Sequence, residues 1–110
     1  MDYVNSTRIV GRVSAVGEPR QLPSGDTLVT VRVVVPRGAR TRRGSAVTVD
    51  TIDVACWSAR SRRVAARLVV DDHVDVEGAL RRRFFRAGAS VASRYEVEAR
   101  TVTRLVGAPS

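Results

Sequence analysis

Apolar and polar residues alternate with a period of two through most of this chain. In a strand, alternate residues share a face, so each such run predicts a strand with an inner and an outer row. Thr7–Val16 places Ile9, Gly11, Val13 and Ala15 on one face and Arg8, Val10, Arg12 and Ser14 on the other. Gly11 in mid-strand predicts a bulge or a close backbone approach. Thr27–Val35 has an inner row of Val29, Val31, Val33 and Val35, with Thr30 and Arg32 outward, and Pro36 ends it. Val47–Trp57 separates Ile52, Val54 and Cys56 from Thr51, Asp53, Ala55 and Trp57. His73–Arg83 predicts Val74, Val76, Gly78 and Leu80 inward, with Asp75, Glu77, Ala79, Arg81 and Arg83 outward. Arg94–Leu105 sets Tyr95, Val97 and Ala99 against Glu96, Glu98 and Arg100.

The period changes once. In Ser58–Val70, Val64 and Leu68 stand four apart among arginines, which predicts a short amphipathic helix with Ser58 and Ser61 as alternative N-caps. Gly17–Asp26 is rich in turn residues, Asp71 and Asp72 form another turn, and Ala87–Ser93 is expected to be a flexible hairpin tip. Met1–Ser6 is expected to be loose, and Pro36–Ala46 to be a basic loop carrying Arg37, Arg40, Arg42 and Arg43. Five strands with a helix between the third and fourth give an all-β chain with the element order of the OB-fold, a five-stranded Greek-key barrel. With 110 residues and no repeats, one domain spanning the chain is expected, ordered from about residue 7 to 106.

Charge adds a direction. Lys and Arg number nineteen against eleven acids, for a net +8, and every one of the nineteen is arginine. Guanidinium groups pair with phosphate in a fork and stack on planar rings, so the excess suits a polyanionic partner. Cys56 is the single cysteine, which excludes an internal disulfide, and its parity places it in the core. No apolar run has spanning length and the N-terminus has no export pattern, so no membrane partner and a cytoplasmic location are expected. The lone His73 lacks partners for a nucleophile–base pair or a metal site, and it is expected to be solvated. The carboxylates Asp50 and Asp53 fall on opposite faces of one strand, and there is no phosphate-binding loop. Neither an enzyme, nor a metal, nor a cofactor is expected.

Two features remain: arginine and outward rings. Trp57 stands with the polar set of its strand, where either a helix, bulge or partner covers it or a planar ligand stacks on it. RRRFFR, Arg81–Arg86, interleaves both features; parity sends Phe85 outward with Arg81 and Arg83 and tucks Phe84 under the strand end. Barrels of this kind bind oligonucleotides or oligosaccharides on the second and third strands and neighbouring loops. Sequence-tolerant single-strand binding needs a basic groove and stacking rings. The candidate nucleic-acid contacts are therefore Trp57 and Phe85 with Arg8, Arg12, Arg32, Arg37, Arg40, Arg81, Arg83 and Arg86.

RIVGR at Arg8–Arg12, EPRQLPSG at Glu18–Gly25, TIDVACW at Thr51–Trp57, VDVEGAL at Val74–Leu80 and RYEV at Arg94–Val97, in this order, resemble the bacterial single-stranded DNA-binding protein family. The resemblance implies an OB-fold, usually a homotetramer, that wraps single-stranded DNA with little sequence preference. It places rings at Trp57 and Phe85, and two more near Ala39–Arg40 and at Thr51, where this chain has none. It also implies a glycine at Asp71. Family members typically continue into a long disordered tail whose acidic tip recruits replication and repair proteins. This chain stops at Ser110, so no tail-mediated recruitment is expected, and a short paralogue is expected rather than a truncated protein. Two other readings are an accessory OB-fold module that co-assembles with or modulates a full-length paralogue, and an RNA-binding OB-fold.

Overall fold

The structure, a computed structural model, describes residues 1–38 and 48–107. Its elements are β1 (Thr7–Val16), β2 (Arg20–Gln21), β3 (Thr27–Pro36), β4 (Val49–Cys56), α1 (Ala59–Arg67), β5 (His73–Ala87) and β6 (Ser90–Leu105). β1 pairs antiparallel with both β3 and β5, β3 with β4, and β5 with β6. A short parallel contact, Val54 with Val97 and Ala55 with Glu98, joins β4 to β6 and closes the barrel. Two-residue β2 pairs with β3 inside the expected turn.

The inner rows meet inside. Val13, Val31, Val33, Val54, Val74, Val76, Val97 and Cys56 are fully buried, and α1 covers one end with Ala65 and Leu68. Valine suits this interior because its stiff, β-branched side chain packs well on a pleated surface. Ser58 caps α1, its hydroxyl accepting from the Ser61 amide at 3.1 Å. Burial pushes the Cys56 thiol up to about 11, which keeps it neutral and unreactive.

Strict alternation misplaces three residues, and composition misjudges the hairpin tip. β1 shifts register between Val13 and Ala15, so Ala15 is exposed and Val16 packs on the core instead. β5 shifts against β6 between Glu77 and Gly78, and the ribbon then leaves the barrel, so Leu80 is 46% exposed rather than inward. The expected flexible tip is paired down to Ala87 with Ser90, leaving only Gly88 and Ala89 in the turn. Phe84 is 63% exposed, not tucked away, because no barrel lies beneath this part of the ribbon.

Glycine serves close approach at two crossings. A Cβ on Gly11 would stand 2.5 Å from the Val34 carbonyl oxygen, and one on Gly78 would overlap the Glu98 carbonyl. Asp71 adopts φ +80°, the left-handed region, which explains why the resemblance implies glycine there. The segment before β1 is tied at Asn5: its side chain donates to the Leu80 carbonyl at 2.8 Å and accepts from the Leu80 amide at 2.9 Å. His73 is half-buried at the start of β5.

Candidate nucleic-acid interface

Trp57 lies between the end of β4 and the cap of α1, and its carbonyl accepts from Arg62 Nη1. The strand end and the helix start thus fix its backbone from both sides. The ring is half-buried. It borders a shallow cleft of about 260 Å³ whose wall includes Arg81, Arg83, Glu96 and Glu98. The Arg83 guanidinium stands over the ring, 5.4 Å from its centre. Arg83 also donates to Glu96 at 3.2 Å, and the Glu96 side chain is only 7% exposed. A carboxylate so enclosed requires its cation, so Arg83 is held in place beside the tryptophan. Farther out, Phe85 carries Arg94 over its ring at 5.2 Å. Arg81, Arg83 and Phe85 alternate onto one side of β5, as the pattern predicts.

The arginines on the barrel wall are not free. Arg8 forks onto Asp75 with contacts of 3.1 and 2.7 Å. Arg12 pairs with Asp71 at 3.0 Å, Arg32 with Asp53 at 3.2 Å, and Arg37 with Asp50 at 2.7 Å. Arg81 donates to Glu98 at 2.9 Å. The hydrogen bonds from Arg8 and Arg37 hold the Asp75 and Asp50 carboxyls below the usual range. Each of these arginines is open to water on at least one side, so solvent screens the pair and a phosphate can take the place of the carboxylate. The pairs nevertheless cancel much of the positive field on that wall. Arg86 is exposed and has no ion pair among the described residues, whereas Arg40 lies outside them.

The chain pattern therefore finds the rings and overlooks the pairing, because carboxylate partners come from neighbouring strands. It also overlooks Arg94, whose stacking on Phe85 depends on the β5–β6 register. A larger cleft of about 610 Å³ lies between α1 and β6, bordered by Arg60, Arg63 and Arg67. No group of three or more His, Cys, Asp or Glu residues placed to hold a metal occurs among the described residues. No helix is long and apolar enough to cross a membrane.

The fold resembles that of a solved structure, a Plasmodium falciparum SSB complex with ssDNA. The TM-score is 0.76 at 16% identity, covering 96% of this chain and 98% of that one. None of the curated proteins matches the sequence. The profile of the Single-strand binding protein family matches residues 4–105, nearly the full length. The chain belongs to the Single-strand binding protein family.

Proposed function

We propose that this chain binds single-stranded DNA with little sequence preference, stacking bases on Trp57 and Phe85 while arginines neutralise the phosphates. The observation that carries this reading is the pairing of each ring with a guanidinium on one side of the β5–β6 ribbon, Trp57 with Arg83 and Phe85 with Arg94. A ring gives every base a face to stack on, and a planar cation beside it extends the platform. Family membership and the DNA-bound relative support the ligand class. In this reading Arg83 orders Trp57, while Arg86 and Arg94 are the first to meet phosphate. Arg8, Arg12, Arg32, Arg37 and Arg81 act only as their carboxylates release them. The unit is the single domain, assembled as the homotetramer the resemblance implies and working in the cytoplasm.

Trp57 is the chain's one tryptophan, so its fluorescence reports the site directly. Titration with oligo-dT is expected to quench it. An unquenched signal from folded protein overturns the assignment.

One observation favours a second reading. Thr51 is exposed on the outer row of β4 where the resemblance places a ring, so the stacking surface is reduced. An accessory module that co-assembles with a full-length paralogue needs less of that surface. Poor oligo-dT binding beside clear co-assembly distinguishes it.

A further inference from the structure

The projecting part of the β5–β6 ribbon has two faces, and the second differs in charge. Beyond Gly78 and Val97, β5 no longer pairs with β1 and β6 no longer pairs with β4. Arg81–Ala87 and Ser90–Glu96 therefore form a two-stranded ribbon with both edges unpaired, and Trp57 lies against the base of one face only. Seven residues of strand extend it by roughly 23 Å.

On the face shared with Trp57, two of the three arginines have acidic partners, Arg81 with Glu98 and Arg83 with Glu96, and only Arg94 has none among the described residues. The other face carries Leu80, Arg82, Phe84 and Arg86 from β5, with Val91, Ser93 and Tyr95 from β6. It has no carboxylate. Arg82 lies between two rings, 5.1 Å from the centre of Phe84 and 5.8 Å from that of Tyr95. Its guanidinium donates twice to the Ser93 hydroxyl, at 3.2 and 3.1 Å. Phe84 is 63% exposed and Tyr95 61%. A ring–guanidinium–ring stack without an acid meets both needs of sequence-tolerant single-strand binding, a π-surface and an uncompensated positive charge. Self-association through this face would set Arg82 and Arg86 of one copy against those of another, with no acid to offset them.

We propose that the Arg82, Phe84 and Tyr95 face is a second stacking surface for single-stranded DNA, so that a bound strand runs around the ribbon and uses both of its faces. This rests on the single-strand reading above, but it fails separately from it. The test compares wild type, a Phe84→Ala/Tyr95→Ala double variant and Tyr95→Phe, using short and long oligo-dT. Folding is checked by thermal melting.

In all three proteins a short oligomer is expected to quench Trp57. The double variant is expected to bind the long oligomer about tenfold or more weakly and to occupy fewer nucleotides per subunit. Tyr95→Phe keeps the ring and is expected to match wild type. Wild type irradiated with iodouracil-substituted oligomer is expected to crosslink at Phe84 or Tyr95. This readout needs no variant. Unchanged long-oligomer affinity and site size in the folded double variant overturn the proposal. If its sedimenting mass also falls, the face joins copies of the chain. Absent quenching in wild type overturns the underlying reading instead.

Discussion

β5 and β6 run without a break from the barrel into the projecting ribbon, yet their two halves have opposite fates. In the half that closes the barrel, Val74, Val76, Val97 and Val102 are buried and the backbone approaches too closely at Gly78 for a Cβ. In the projecting half, Leu80, Phe84, Phe85, Val91 and Tyr95 remain exposed, each 41% or more. The barrel half gains from water exclusion and dense packing, so it tolerates little change. The projecting half gains almost nothing from burial and holds its rings with guanidinium groups instead. Large apolar side chains that no core takes up are an interaction surface by default. The contrast places stability at one end of the ribbon and, in the proposed reading, binding at the other.

The sharpest test of that division is Gly78→Ala. The new methyl meets backbone of Glu98 and Ala99, which cannot rotate away. Destabilisation of about 2–3 kcal/mol is expected in urea unfolding. Phe84→Ala, on the same strand, is expected to stay within about 0.5 kcal/mol of wild type. Comparable losses from both would erase the distinction.

Next come the rings. Trp57→Ala and Phe85→Ala are each expected to weaken oligo-dT binding by about 1–3 kcal/mol, roughly 5- to 150-fold. If neither does so in equilibrium titration, both rings are structural. Salt addresses the other half of the binding energy. The positions at Thr51 and near Ala39–Arg40 where the resemblance implies rings carry none, so binding of a short strand at Trp57 and Phe85 should lean on charge. If about four phosphates are neutralised per subunit, a fourfold rise in salt weakens it roughly 50-fold. A log–log slope shallower than that of a four-ring relative contradicts this.

Two smaller effects probe the barrel wall. Asp71→Ala is expected to lose about 1 kcal/mol in thermal unfolding, since alanine resists positive φ, whereas Asp71→Gly is not. Asp75 has its carboxyl lowered from 3.8 by the hydrogen bonds of Arg8. A lowered folded value means its stabilisation is complete above the unfolded value and is lost as pH falls through the folded one. An acid melt series is thus expected to fall less steeply below about pH 4 in Asp75→Asn than in wild type. Parallel curves would show that the pair contributes nothing.

Much of this molecule is legible from the chain, and the failures have one origin. The valine rows, the Ser58-capped helix and the element order follow from local pattern, since each face is set by parity and each period by the backbone. Ala15, Leu80 and Phe84 are misplaced because a shift in register, or a ribbon that outruns its barrel, changes what a parity means. Parity says which residues share a face. It does not say whether anything lies beneath it.

The candidate site divides along the same line. Alternation alone puts Trp57 on the polar side of its strand and Phe85 beside Arg81 and Arg83, and composition alone makes the cations guanidinium groups. Tertiary structure decides how those groups are used. Arg8, Arg12, Arg32, Arg37, Arg81 and Arg83 pair with acids contributed by other parts of the chain, whereas Arg82 and Arg94 meet rings. The reason is range. Side-chain parity is fixed between neighbours in sequence. Charge pairing and burial depend on which distant strand arrives alongside, and only the closed barrel brings those strands together.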